Sequence, residues 1–140
     1  MSFQLPKMEF SFDVAVNGNQ TNVAYTGTFI YKRPTIGDRS RIDVMNKRLN
    51  GDLLTLENET MLFNEAISHL RFTLIEYPEW WKAANLGMDL YDANVVVEIY
   101  NKCVDFEEVF MKRLHSKDGE RINTDEKTEE IAMDTPQSQL

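Results

Sequence analysis

The side chains that most often carry chemistry are few in this chain, and they form no catalytic pattern. The 140-residue sequence has two histidines, His69 and His115, and one cysteine, Cys103. No His-x-x-x-His or Cys-x-x-Cys pair is present, and these are the spacings that zinc sites usually use. His115 stands at the end of a predicted helix, where a cation interacts favourably with the helix dipole. The sequence therefore predicts no metal site, no cofactor and no histidine-based catalysis.

The remaining chemical candidates, a thiol and a pair of acids, have simpler structural explanations. Cys103 falls on the apolar stripe of a predicted helix, which favours a buried small residue, because reactive thiolates need an accessible, electropositive setting. Asp89 and Asp92 are three residues apart and could act as paired acids, but capping of the next helix explains them more simply. The glycines are scattered singly, so no phosphate-binding loop is predicted. We therefore expect a protein that is not an enzyme.

Length and composition restrict the class of protein. A chain of 140 residues with 42% hydrophobic residues can form one domain with a buried core. No apolar run approaches the roughly 18 residues that a membrane span requires. The N-terminal sequence MSFQLPKMEF lacks the charged start and apolar block of a secretory signal. We expect a cytoplasmic protein that binds no membrane.

The charge of the chain is negative overall and unevenly distributed. A net charge of −8 argues against general nucleic-acid binding, which needs clustered cations to displace counterions. Residues 116–140 are rich in acids, whereas the segment from Tyr31 to Leu49 is basic. The two segments could attract one another, but a solvated face and a solvated tail are the favoured interpretation. The basic patch consists of Lys32, Arg33, Arg39, Arg41, Lys47 and Arg48.

Alternating apolar and polar residues near the N-terminus predict a β-hairpin over residues 9–31. The apolar positions of the first strand are Phe10, Phe12, Val14 and Val16, and those of the second are Val23, Tyr25, Phe29 and Tyr31. Between them, Asn17-Gly18-Asn19-Gln20 has the residues that tolerate positive φ in a turn. Gly27 marks either a bulge or a close approach by another element. Since a lone ribbon is marginal in water, the hairpin must pack on helices or join strands of another subunit.

Apolar residues at helical spacing predict four helices, over residues 38–49, 58–77, 79–85 and 90–115. Asp38 is the expected N-cap of the first helix, and Thr55 or Asn58 that of the second. The second helix carries the stripe Phe63, Ile67, Leu70, Leu74 and Tyr77, and the last carries Val96, Ile99, Cys103, Phe106 and Phe110. Asn85-Leu86-Gly87 breaks the third helix. Residues 1–115 are thus predicted to form one globular domain, and residues 116–140 a flexible acidic tail.

Two adjacent tryptophans follow the second helix, after a proline that ends it. Neighbours on a helix point about 100° apart, so one of Trp80 and Trp81 is predicted to enter the core while the other faces a seam or a partner. Trp and Tyr are typical interface anchors, and methionine suits adaptable apolar surfaces. Core packing remains the more frequent role for any single residue of this set. The candidate partner-binding residues are Tyr77, Trp80, Trp81, Met88 and Tyr91.

Three stretches of the chain resemble the small tail assembly chaperones of tailed bacteriophages. They are YKRPTIGDRSRIDV, HLRFTLIEYPEWW and GMDLYDANVVVEIYNKCVDFEEVF, and they cover about Tyr31–Phe110. The resemblance, to the small non-frameshifted form, implies a chaperone that binds the apolar tape measure protein in the host cytoplasm and helps tail-tube subunits assemble around it. Such chaperones are often made in two lengths by ribosomal frameshifting. The predicted hairpin is an addition to the mainly helical body that the resemblance implies.

The sequence thus predicts an α+β fold, with an N-terminal β-hairpin packed on a bundle of three to four helices and a disordered acidic tail. The expected function is non-enzymatic binding of a tape measure or tail-tube protein. The sequence leaves open whether the chain forms homo-oligomers. One alternative is a structural virion subunit of the tail or neck, whose hairpin joins a neighbour's sheet. Another is a small acidic inhibitor that occupies the basic surface of a host nucleic-acid-binding protein.

Overall fold

A computed structural model describes residues 3–51 and 56–123, with only the backbone for 116–123. The elements are β1 (Glu9–Asn17), β2 (Ala24–Lys32), α1 (Ile36–Asn50), α2 (Asn58–Thr73), β3 (Leu74–Glu76), α3 (Glu79–Ala83) and α4 (Ala93–Asn123). This arrangement confirms the α+β class, with a hairpin followed by helices. The chain divides into two compact units, Met1–Asp105 and Phe106–Leu140. Helix α4 continues past residue 115, and the rest of the predicted tail, 124–140, lies outside the described residues.

The antiparallel hairpin forms where alternation predicts it. Phe12 pairs with Phe29, and Val14 pairs with Gly27, so both strands present their apolar residues on the same face. Phe12, Val14 and Phe29 are buried on that face. A Cβ atom at Gly27 would lie 2.3 Å from Cγ of Pro78. Gly27 therefore marks a close approach by another element, which was one of the two predicted explanations.

Residues 74–77 were wrongly predicted to continue the second helix. Helix α2 ends at Thr73, and Leu74–Glu76 forms β3, which adds to β2 as the third strand of the sheet. Leu74 pairs with Tyr31, although its spacing also fits the helical stripe. The hydroxyl of Thr73 donates to the carbonyl of His69 at 2.7 Å and satisfies one acceptor at the helix end. The strand supplies hydrogen-bond partners for the backbone of β2. The helical spacing of the apolar residues does not predict this pairing.

Two predicted helix caps are also corrected. Thr35, not Asp38, is the N-cap of α1, and Asp38 takes the third helical position of a reciprocal capping box. Asn58 is the first residue of α2 rather than its cap, and Thr55 lies outside the described residues. Helix α3 ends at Ala83, slightly before the predicted residue 85. The predicted break after it is confirmed, since Asn85, Leu86 and Gly87 all have positive φ.

The core of the first unit lies between the sheet and the helices. Ile67, Leu70 and Leu74 are buried as their spacing predicts, and so are Val96, Ile99 and Cys103. The remaining buried apolar residues are Phe12, Val14, Phe29, Tyr31, Ala66, Trp81 and Val95. In the second unit, the half-buried rings of Phe106 and Phe110 lie 6.5 Å apart between centroids.

Candidate functional site

The two tryptophans divide as their helical spacing predicts. Trp81 is only 1% exposed and meets the edge of Phe29 at 5.7 Å between ring centroids. Trp80 is half-buried in a seam against β2, where its ring lies 4.8 Å from that of Tyr25. Its Nε1–H donates to the carbonyl oxygen of Thr26 at 2.9 Å. Both indoles therefore hold α3 against the sheet, and a role of Trp80 in partner binding stays a prediction.

Of the other candidate partner-binding residues, Met88 and Tyr91 present the most surface. Met88 is 41% exposed and Tyr91 is 76% exposed, whereas Tyr77 is half-buried. Met88 stands at the edge of a cleft of about 210 Å³. We call this the Met88 cleft, and its lining residues are Phe63, Asn64, Ile67, Gly87, Met88, Leu90, Ala93 and Val96. Of these lining residues, the sequence indicates only Met88 as a partner-binding residue. The others come together through the packing of α2 and α4, which has no signal in the sequence.

The floor of the Met88 cleft depends on the absence of a side chain at Gly87. A Cβ atom there would lie 2.6 Å from Cη2 of Trp81 and 3.0 Å from Cδ1 of Ile67. The φ of Gly87 is +92°, in the region that favours glycine. The buried ring of Trp81 thus lies against Gly87 of the cleft, and it leaves no room for a side chain at position 87. The predicted aromatic pair and the exposed methionine are therefore parts of one local structure.

The basic patch is partly neutralised by a buried carboxylate. Asp38 pairs with Lys32 and, at 3.0 Å, with Arg41. Burial raises the pKa of Asp38, but hydrogen bonds from Lys32 and Thr35 more than offset this, so the pKa lies below its ordinary value. Arg33 is half-buried, while Arg39, Lys47 and Arg48 are exposed on or near α1. The patch is thus divided between a structural ion cluster and an exposed basic face.

Part of that basic face borders a second cleft, between α1 and α2. This α1–α2 groove has a volume of about 470 Å³, and its lining residues are Ser40, Arg41, Val44, Met45, Arg48, Leu49, Arg71 and Phe72. Arg41 and Arg48 belong to the predicted patch, but Arg71 does not. No sequence signal identifies Arg71, because it lies on a different helix and reaches the groove only through the packing of α1 against α2.

The carboxylate of Asp92 binds the β1–β2 turn. It accepts hydrogen bonds from the backbone N–H of Gln20 at 2.7 Å and of Thr21 at 2.9 Å. The hydroxyl groups of Thr21 and Tyr25 also donate to it, at 2.5 and 3.3 Å. Desolvation raises the pKa of Asp92, but these hydrogen bonds prevail and hold the pKa below its ordinary value. Asp92 directly precedes α4 and so stands at a predicted cap position, while its carboxylate accepts hydrogen bonds from the hairpin turn.

Replacing Asp92 by asparagine should lower the thermal midpoint by several degrees at neutral pH. The amide offers one acceptor oxygen in place of two and brings an N–H group toward donors. Because the folded pKa is lowered, the stabilisation by Asp92 is complete above the unfolded value of about 3.9 and is lost as pH falls through the folded value. The difference between the native chain and Asp92→Asn should therefore shrink as the pH falls below about 4.

Thermal melts over this pH range check the prediction, with Asp89→Asn as the matched control. Asp89 is exposed and three residues away, so its replacement should change the midpoint little at any pH. If Asp92→Asn behaves like Asp89→Asn at pH 7, Asp92 does not hold the turn.

His69 belongs to a network of aromatic residues rather than to a catalytic pair. Its Nε2 lies 3.0 Å from the hydroxyl of Tyr31, which is buried, and its ring meets the edge of Tyr100 at 5.7 Å. The Tyr100 hydroxyl donates to Glu65 at 3.1 Å. Desolvation and the Glu65 carboxylate raise the pKa of Tyr100 to about 12. A phenol with this pKa stays protonated at neutral pH, so Tyr100 acts here as a hydrogen-bond donor. Cys103 is buried, as its place on the apolar stripe predicts.

Among the described side chains, those of residues 3–51 and 56–115, no group of three or more His, Cys, Asp or Glu is placed to hold a metal ion. None of the helices in that part of the chain has the length and apolar character needed to cross a membrane. No protein-family model, no curated protein and no solved structure matches this chain.

Proposed function

We propose that this protein is a non-enzymatic tail assembly chaperone of a tailed bacteriophage. In the host cytoplasm it binds apolar segments of the tape measure protein through the Met88 cleft and assists assembly of the tail tube. The observation that carries the proposal is the cleft itself, an apolar recess with an exposed methionine at its edge. Five of the eight lining residues of the cleft lie in GMDLYDANVVVEIYNKCVDFEEVF, one of the three stretches that resemble the chaperone family.

The chemistry of the Met88 cleft suits an apolar side chain of a partner. Its volume of about 210 Å³ is below the roughly 300–1,000 Å³ of small-molecule sites. Phe63, Ile67 and Val96 present hydrocarbon surface to the recess, and Asn64 is the one polar side chain among its lining residues. A flexible methionine at the edge lets the recess accept side chains of different shapes. Such a recess is typical of recognition by apolar anchors on one helix face.

Tyr91 extends this apolar surface beyond the cleft. It follows Leu90 directly, and three-quarters of its surface is accessible (76%). Tyrosine offers a large apolar ring with little conformational entropy to lose, which favours its use in protein interfaces. A surface of this limited size gives weak, reversible binding. Reversible binding suits a chaperone, because it must release its client when the tube forms.

The chemically capable side chains of the first unit are engaged in its own structure, which supports a binding role. Cys103 is buried, Asp92 is bound by the hairpin turn, and His69 contacts Tyr31 and Tyr100. A catalytic group must reach a substrate, and burial of a side chain such as Cys103 prevents this. The function that the geometry supports best is therefore protein binding without catalysis.

The proposal is tested by co-expression with the tape measure protein of the same phage genome. The tape measure protein expressed alone should be mostly insoluble, because its apolar helix faces are exposed. With this chain present, its soluble yield should rise several-fold, and the two should co-purify. Co-expression with an unrelated acidic protein of similar size is the control. A soluble yield equal to that of the control would contradict the proposal.

A structural virion subunit remains a second candidate because of strand β1. Among the described residues β1 pairs only with β2, so its other edge of nine residues is available for another strand. A subunit that joins a neighbour's sheet through β1 would stay in the particle, whereas a chaperone leaves. Quantitative mass spectrometry of purified virions distinguishes the two, because stoichiometric amounts of this chain would favour the subunit.

A further inference from the structure

Helix α1 exposes apolar side chains that the described residues of the first unit leave accessible. The only buried residue of α1 is Asp38, which lies in its first turn. Val44 is 52% exposed, and Met45 and Leu49 are half-buried along the same helix. These three residues and Phe72 of α2 form the apolar floor of the α1–α2 groove. The helix is held by its polar N-terminal cap and by packing against α2, and part of its apolar face stays accessible.

The charged side chains among the described lining residues of this groove are all arginines. They are Arg41, which also pairs with Asp38, and Arg48 and Arg71. Nη2 of Arg71 donates to Oδ1 of Asn85 at 3.4 Å, which holds the guanidinium beside the groove. Arginine also binds carboxylates in a bidentate geometry, which makes the rim selective for acidic groups.

The dimensions of the groove fit a helix rather than a compact ligand. Its lining runs along α1 from Ser40 to Leu49, a length of about 14 Å at 1.5 Å per residue. This corresponds to between two and three helical turns, the length over which residues at i, i+3, i+4 and i+7 recur on one face. An open apolar floor with charged sides is the surface that an amphipathic helix covers.

We propose that the α1–α2 groove is a second protein-binding site and that its occupant is an amphipathic helix with acidic flanks. Leucine-like side chains of the partner cover Val44, Met45 and Phe72, while its Glu or Asp side chains pair with Arg48 and Arg71. The site differs from the Met88 cleft in its residues and in the charge that it selects. It therefore stands independently of the proposed chaperone function.

Two synthetic helical probes test the charge preference on the full chain. Both carry leucine at i, i+3, i+4 and i+7, and the flanking positions hold glutamate in one and lysine in the other. Fluorescence anisotropy should give the glutamate probe an affinity about tenfold higher or more at low salt. The difference should shrink strongly at about 1 M salt, where the Debye length is about 3 Å. Equal affinities of the two probes would overturn the proposal.

Substitutions in and beside the groove test its location. Arg48→Glu and Val44→Asp should each weaken the glutamate probe by about tenfold. Lys47→Glu is the matched control, because Lys47 is exposed in the same last turn of α1 but does not line the groove. It should change the affinity less than about twofold. Thermal melts verify that Val44→Asp, at an exposed position, leaves the fold intact. Equal losses of affinity for Arg48→Glu and Lys47→Glu would show that only the overall charge matters, and would overturn the proposal of a site in the groove.

Sedimentation of the native chain and of Arg48→Glu tests whether a second copy of this chain occupies the groove instead. The proposal predicts the same oligomeric state for both. A dimer that dissociates on Arg48→Glu would assign the groove to a neighbouring copy and would overturn the separate partner.

Discussion

Replacement of Trp81 by alanine is expected to lower the free energy of unfolding by about 3–5 kcal/mol, as for other large aromatic residues in a core. Trp81 is almost fully buried and contacts Phe29 and Trp80 edge to face. Its removal leaves a cavity beneath Gly87, between the sheet and α3.

Trp80→Ala is the matched comparison, since it removes the same side chain from the neighbouring position. Trp80 is less completely buried than Trp81, so its loss should be smaller, because less apolar area returns to water. It includes the hydrogen bond to the carbonyl of Thr26. Urea denaturation with a check of unchanged m-values measures both. A loss for Trp80→Ala that equals or exceeds the loss for Trp81→Ala would show that the inward tryptophan has been misidentified.

The second large effect is expected at Gly87. A Cβ atom in Gly87→Ala meets the ring of Trp81, so the substitution should cost about 1–3 kcal/mol for overpacking, beyond the backbone strain. The strain itself is about 1–2 kcal/mol for a left-handed residue other than glycine. Since Gly87 lines the Met88 cleft, the variant should also lose affinity for an apolar partner.

Gly51→Ala separates the two contributions. Gly51 also has a positive φ, but none of the described atoms lies within 4 Å of its Cβ position. It should therefore lose stability through backbone strain without overpacking, and a larger loss in Gly87→Ala indicates the contact with Trp81. Chemical denaturation of the two variants gives both values. Equal losses would show that Gly87 is needed for its φ only and that the Trp81 ring has room to move.

The parts of the fold that follow from short-range pattern could be predicted from the sequence. Alternation in Phe10–Val16 predicts the first strand, and the Asn-Gly turn predicts its partner. The division of Trp80 and Trp81 follows from helical geometry alone, and so does the burial of Ile99 and Cys103 on one stripe.

The parts that depend on distant contacts could not be predicted in this way. Leu74 satisfies both a helical stripe and a strand, and only the free edge of β2 decides between them. Asp92 has the position of a helix cap, but its carboxylate binds donors of the hairpin turn, 71 and 72 residues away in the chain. The lining of the Met88 cleft and the contribution of Arg71 to the α1–α2 groove arise from the packing of one helix against another element. Such pairings have no local signature in a single sequence.

The measurement that tests the proposed function most directly is co-expression of the tape measure protein with Met88→Asp, compared with Met8→Asp. The two methionines are almost equally exposed, at 41% and 43%, but only Met88 lines the cleft. A carboxylate at position 88 should exclude apolar side chains from the cleft, because burying a charge is unfavourable. We predict that Met88→Asp abolishes the gain in soluble tape measure protein while its own thermal midpoint is unchanged, and that Met8→Asp retains the full gain. Equal solubilisation by both variants would contradict binding at the Met88 cleft.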